Sequence, residues 1–184
     1  MAKKSKKKKV SSGAFAILKA GVFMLITLIV CYILVTYVFR RTVVHNVSMQ
    51  NTLFDGDNII MDELSYNTGN PKRYDIICFK SYKEKDLLIK RIIGLPGETV
   101  RIEDTKIYIN DKEIRDVNGL TAIEYPGTAE YGITLGEDEY FVIGDNRDES
   151  IDSRFEDVGN IRRRDILGKA VLVFWPINRT HILK

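Results

Sequence analysis

Twenty consecutive uncharged residues, Ala20 to Phe39 (AGVFMLITLIVCYILVTYVF), dominate the hydropathy pattern, and nothing later in the chain resembles them. The run is apolar on every side, whereas the helix of a soluble core shows one apolar stripe. At about 1.5 Å per residue it spans roughly 30 Å, the thickness of a bilayer's hydrocarbon core. The pattern therefore predicts a transmembrane anchor over residues 14–39, with Lys19 snorkelling at its edge. The run is too long for a cleavable leader, and it closes on Phe39-Arg40-Arg41 rather than a small-x-small site. It is expected to stay attached.

Beyond the anchor the apolar runs shorten and become rich in β-branched and aromatic residues. NIIMDEL (58–64), DIICFK (75–80), DLLIKRIIG (86–94), ETVRIED (98–104), KIYIND (106–111), EYFVIGD (139–145) and KAVLVFWPI (169–177) read as strands. Turn signals separate them at Asn67-Thr68-Gly69-Asn70-Pro71, Leu95-Pro96-Gly97, Glu103-Asp104 and Asn110-Asp111. Residues 112–138, rich in Gly, Asp, Glu and Thr, read as an insertion that leaves the core and returns. The expected fold is mainly β: one transmembrane helix followed by an antiparallel β domain. The expected divisions are a basic tail (1–13), an anchor (14–39) and an extracytoplasmic domain (40–184).

Charge sharpens this picture. The 184 residues carry a net charge of +3, but seven lysines and no acid fall within residues 1–39. The remaining 21 basic residues face 25 acidic ones, so residues 40–184 carry −4. A mildly acidic body with a basic tail excludes a nucleic-acid-binding domain, whose positive charge would lie on its folded surface. Arg162-Arg163-Arg164 reads as a solvated turn. Lysines before the span and only Arg40 and Arg41 just after it place the N-terminus in the cytoplasm by the positive-inside bias. Cys31 and Cys78 lie in the anchor and in a strand, which argues against a disulfide. No His/Cys cluster has metal-ligand spacing, so neither metal nor cofactor is expected.

Candidate chemistry begins at HNVSMQNTLFDGD (45–57). Ser48 lies nine residues past Phe39, at most about 30 Å of extended chain. A nucleophilic serine needs a base, and neither His45 nor His181 belongs to a constellation that would supply one. Lys90 is flanked by Leu87, Leu88, Ile89, Ile92 and Ile93, where an ammonium ion is costly. Such burial lowers a lysine pKa by up to about 3–5 units, toward neutrality. A neutral amine there can take a serine proton and return it to a leaving group.

Three segments carry a family resemblance: Ser48-Met49-Gln50-Asn51-Thr52-Leu53, Lys90-Arg91-Ile92-Ile93-Gly94-Leu95-Pro96-Gly97-Glu98, and Gly144-Asp145-Asn146-Arg147-Asp148-Glu149-Ser150-Ile151-Asp152-Ser153-Arg154. In this order the chain resembles the bacterial type I signal peptidases, membrane-anchored Ser/Lys proteases, and the single anchor suits a Gram-positive layout. The resemblance implies Ser48 as nucleophile, Lys90 as general base and Ser150 as the hydroxyl that orients the lysine. It also implies Asp152 and Arg154 as a structural ion pair, with Asp145 and Arg147 assisting. One oxyanion donor would be the Ser48 N–H. The other falls at Asn46, where the family often has a hydroxyl. Val44, His45 and Met49 on one side, and Leu87, Leu88 and Ile89 on the other, would be rails for an extended substrate. The implied partners are signal peptides of secretory preproteins, the lipid bilayer and the protein-export machinery. The competing expectation is a signal-peptidase-like accessory or chaperone in pilus or surface-protein assembly. Two departures stand out: Asn51 replaces the family's proline, predicting a looser nucleophile loop, and Glu98 replaces an aspartate.

Overall fold

The computed structural model describes residues 12–37, 39–81, 87–117, 120 and 122–183. Most of the basic tail, and Asp86 at the head of one expected strand, lie outside them. The chain divides into two compact units, Met1–Val38 and Phe39–Lys184.

The first unit is a single helix, α1 (Ser12–Tyr37). Its Gly13–Tyr32 stretch has a mean hydropathy of 2.4 and buries none of its surface in the protein, so it is long and apolar enough to cross a membrane. Helix α1 stops two residues short of the expected boundary. Phe39 instead opens strand β1 (Phe39–Val43), which pairs along its whole length with β2 (Asn58–Asp62). Cross-strand pairing thus overrides the apolar character that Phe39 shares with the anchor.

The second unit is antiparallel throughout. After β2 and a one-turn helix, α2 (Ser65–Thr68), come β3 (Ile76–Lys80), β4 (Leu87–Gly94), β5 (Thr99–Glu103), β6 (Lys106–Ile109) and β7 (Lys112–Ile114). They are followed by β8 (Ile133–Thr134), β9 (Glu139–Ile143), β10 (Ile161–Arg162), β11 (Ile166–Trp175) and β12 (His181–Ile182). One sheet has the order β1-β2-β11-β3-β4-β9-β10, with β12 added to β11; the other has the order β7-β6-β5-β8. The expected strands all form, most with an end trimmed by one or more residues, while β11 begins three residues before its expected run.

Local sequence explains the smaller sheet. Glu103 pairs with Lys106 and Ile109 with Lys112, leaving two-residue turns at Asp104-Thr105 and Asn110-Asp111. All four turn residues have positive φ, the primed-turn geometry that matches strand twist. Val100, Ile102, Ile107 and Ile109 alternate inward and pack with Ile93 and Phe141 of the larger sheet. At the junction, a Cβ on Gly94 would lie 2.5 Å from Val100 and 2.7 Å from Leu135, so only glycine lets the sheets meet. Residues 112–138 supply β7, β8 and a 3₁₀ turn at Gly127–Tyr131. Ile123, Ala129 and Leu135 return them to this core.

Candidate active site

The loop that carries Ser48 runs from β1 to β2. Its ends are closed by Val44 N–H donating to Asp57 O (2.8 Å) and Gly56 N–H donating to Val44 O (3.0 Å). Inside it, Gln50 N–H donates to Val47 O, and both Thr52 and Leu53 donate to Met49 O, making a single helical turn. Met49 and Leu53 anchor that turn in the core. Ser48, at its start, is 7% exposed. Asn46 and Asn51 bracket the serine at φ 80 and 83. Both are left-handed conformations, which asparagine tolerates and proline cannot reach.

Asn46 turns its carbonyl oxygen toward the serine. Its Oδ1 accepts from Ser48 Oγ (2.9 Å) and from Ser48 N–H (3.2 Å). Asp55 accepts the Asn46 backbone N–H in turn.

Lys90 comes from the middle of β4, opposite Ile77 of β3. It is 2% exposed, and the strand from Ile89 to Gly94 is buried on both faces. Ile89, Ile93 and Ile92 each pack into a different core cluster, so this stretch shows no alternation of buried and exposed positions. Lys90 and Ser48 line one cleft of about 420 Å³, with Asn46, Val47, Ser81, Leu88, Glu149, Ile151, Asp157 and Val158. Residues far apart in sequence are thus brought to one wall. Of the expected rail residues, Leu88 lines the cleft and Leu87 is exposed, whereas Val44, Met49 and Ile89 pack into the core.

The third segment forms a loop after β9 that closes over this arrangement. Arg154 is its hub. Its guanidinium donates to both carboxylate oxygens of Asp152 (2.8 and 2.9 Å) and to the carbonyls of Arg147 (2.7 Å), Ser150 (3.2 Å) and Tyr125 (3.1 Å). Asp152 also accepts Gly144 N–H at 3.0 Å. Both ions are essentially inaccessible, at 1% and 0% side-chain exposure. A buried pair is tolerated only when its remaining donors and acceptors are satisfied, and here the backbone does that. Gly144 is needed for a close approach: a Cβ would lie 2.2 Å from Ser150 Oγ and 2.4 Å from Ser48 O. That glycine brings the Ser150 hydroxyl beside the Ser48 peptide. Asn146 stitches the two loops directly, through its N–H to Ser48 O (3.0 Å) and its Nδ2 to Val47 O (3.1 Å).

Asp145 and Arg147 take other partners. Asp145 is gripped by Arg91 through two bonds (2.8 and 2.6 Å) and accepts Thr52 Oγ1 at 2.5 Å. Arg147 holds Asp116 with two bonds (2.7 and 2.8 Å), tying the irregular segment to the site loop. Glu98 caps the turn after β4: it accepts Leu95 N–H (2.8 Å) and binds Arg73 through both oxygens (2.6 and 3.0 Å). Arg91, Asn146 and Thr52 stand inside the quoted motifs, although the sequence reading gave them no role. Asp116 and Asp157 carried no such signal.

Titration directions follow from burial. Burial pushes the Cys78 thiol up to about 12. Burial raises the Tyr66 hydroxyl far above its ordinary value, helped by the Asp75 carboxylate that accepts its proton at 2.9 Å. Burial also opposes ionisation of Asp62, but hydrogen bonds from Ser65 and Leu64 outweigh it and hold that carboxyl below its ordinary value. Among the described residues no group of three His, Cys, Asp or Glu side chains could hold a metal ion.

A buried serine and a buried lysine thus open into one cleft of an antiparallel β unit. Residues 17–175 match the family model described as "Signal peptidase, peptidase S26". The chain is 35% identical over 98% of its length to "Probable signal peptidase I-2" of Synechocystis sp., covering 84% of that protein. It is 34% identical over 85% of its length to signal peptidase I P of Bacillus subtilis subsp. natto, covering 88% of it. A crystal structure of a signal peptidase I from Enterococcus faecalis V583 aligns with 55% of this chain and 97% of its own, at 33% identity and a TM-score of 0.46. The chain belongs to the signal peptidase family, peptidase S26.

Proposed function

We propose that this chain is a membrane-anchored serine endopeptidase that removes N-terminal signal peptides from secreted preproteins, with Ser48 as nucleophile and Lys90 as general base. The observation that carries the dyad is that both side chains, each more than nine-tenths buried, line the same cleft.

Burial disfavours a charged ammonium, so the amine of Lys90 is suited to accept the Ser48 Oγ proton as Oγ attacks the scissile carbonyl. The ammonium then gives that proton to the leaving amine, releasing the mature N-terminus. Water next attacks the acyl-serine ester, again giving its proton to Lys90, and frees the signal peptide's carboxylate. Ser150 Oγ makes no hydrogen bond at rest among the described residues; it would orient the amine once substrate is bound, and the Arg154–Asp152 hub holds its backbone in place. The Ser48 N–H and the Asn46 amide would stabilise the oxyanion. At rest that N–H donates to Asn46 Oδ1, so substrate binding must turn the Asn46 side chain, presenting its Nδ2 instead. Leu87 and Leu88 would form one rail for an extended substrate.

The lysine-rich tail and the apolar α1 support an N-terminus in the cytoplasm and a catalytic unit outside. The bilayer and the export machinery would then be partners. An accessory or chaperone role leaves the shared burial of Ser48 and Lys90 in one cleft without purpose.

The test is to incubate the full chain in detergent with a preprotein and sequence the new N-terminus. A cut after a small-x-small sequence is expected. Ser48→Ala and Lys90→Ala should each lower the rate by at least about 10³–10⁴-fold with an unchanged Tm. Full cleavage by either variant would refute the dyad.

A further inference from the structure

Residues 17–175 carry the family match, yet the segment that follows them reaches back to the loop that carries Ser48. Trp175, the last residue of β11, pairs with Asn58, the first of β2. A 3₁₀ turn follows at Ile177–Arg179, in which the Arg179 N–H donates to Pro176 O at 2.9 Å. Strand β12 then fastens the end by pairing with Leu172 and Val173 of β11. Leu183 N–H donates to Val171 O (3.0 Å), and the Leu183 side chain joins Met49 and Leu53 in the core. The turn is thus held on both sides, with Arg179 between.

Arg179 grips the second half of the Ser48 loop. Its Nε and Nη2 donate to Asp57 Oδ1 (2.8 and 2.6 Å), and its guanidinium lies 5.4 Å from the Phe54 ring centroid. The Asp57 side chain is 1% exposed, and its other oxygen accepts the Phe54 N–H at 2.9 Å. A buried carboxylate needs a counter-ion, and among the described residues Arg179 is the one that meets it. One side chain therefore fixes both ends of the turn from Phe54 to Asp57. Between those ends stands Asp55, whose Oδ1 accepts the Asn46 N–H (3.0 Å). Asn46 Oδ1 in turn accepts from Ser48 Oγ (2.9 Å). The path from guanidinium to hydroxyl is continuous.

We propose that Arg179 is a positioning residue, which aims the Ser48 hydroxyl through Asp57, Asp55 and Asn46. The inference rests on the reading of Ser48 as nucleophile. Asn46 is held at φ 80, outside the conformations that most residues prefer. Releasing the Phe54–Asp57 turn lets the Asn46 backbone relax, and the Ser48 hydroxyl loses its acceptor. Misplacing a reacting group by about 1 Å costs up to about 10²-fold in rate, while a substrate held by the rest of the cleft still binds. The effect therefore falls on kcat.

The experiment measures kcat, KM and Tm of the full chain in detergent on one preprotein. The proteins are wild type, Arg179→Gln, Arg179→Lys, Asp55→Ala, the double variant R179Q/D55A and Ile107→Val. R179Q is expected to lower kcat at least about tenfold with KM within about twofold. R179K keeps the charge but not the fork, and should fall between R179Q and wild type. Because the effect runs through Asp55, the double variant should be no slower than the slower single one, rather than showing the product of both losses. Ile107→Val weakens the core of the smaller sheet instead; it should lower Tm with kcat unchanged, which separates positioning from stability. Wild-type kcat in R179Q, an equal loss in I107V, or losses that multiply in R179Q/D55A would each overturn the inference and leave the dyad standing. Should R179Q not fold, R179K carries the test: a kcat severalfold below wild type is expected, and an unchanged one overturns the inference. Failure of the wild type to cut overturns the peptidase reading itself, and this inference with it.

Discussion

The loop that carries Ser48 holds itself together with neighbours: Asn46, Asp55 and Asp57 bond backbone groups within the same stretch, and its turn closes on Met49. The loop that carries Ser150 is held by a buried guanidinium that reaches carbonyls of Tyr125, Arg147 and Ser150 while paired with Asp152. One depends on backbone conformation at two asparagines and on Asn146 and Asp145, which tie it to the other loop. The other depends on a charge removed from water, whose partners must all be present. The difference has a functional logic. A serine proposed as nucleophile must change hydrogen-bond partners during the reaction, and local bonds permit that. A hydroxyl proposed to aim the lysine must stay still.

Breaking the hub should therefore do the greater damage. Arg154→Met leaves the Asp152 carboxylate buried without its counter-ion, an expected loss of about 3–5 kcal/mol. A drop in Tm measured by circular dichroism or calorimetry would check this. A Tm close to wild type would mean that the buried pair contributes little to the fold.

The nucleophile loop offers a smaller and more discriminating contrast. At Asn51, with φ 83, glycine is at ease and proline is excluded. Asn51→Gly should change stability by no more than a few tenths of a kcal/mol, whereas Asn51→Pro should cost about 1–3 kcal/mol and slow cleavage. The family's own residue would thus harm this member. Equal Tm values for the two variants would show that the loop's path is not set at Asn51.

Strand positions were legible in the sequence because β-branched runs bounded by turn residues leave little alternative, and Asn110-Asp111 announces its turn by chemistry alone. β1 was not, since Phe39-Arg40-Arg41 reads equally well as a membrane flank, and its pairing with β2 is a long-range fact. The two-residue strands β8, β10 and β12 carry no periodicity at all. Within the site, Ser48, Lys90 and Ser150 were nameable only together, through the resemblance, because a lone strand lysine has no distinguishing pattern. The partners of the arginines were hidden for a different reason. Arg147 finds Asp116 in a segment without regular structure, and Arg91 rather than Arg147 takes Asp145, a choice that only the packed strands decide.

The central claim is that an uncharged Lys90 amine takes the Ser48 proton. It is tested most directly by the pH dependence of kcat/KM between pH 6 and 9 on an uncharged reference preprotein. A base that works only when deprotonated predicts a rate that rises with pH through a single ionisation and levels above it, at a pH well below a free lysine's value of about 10.4. A profile flat across that range would contradict the claim.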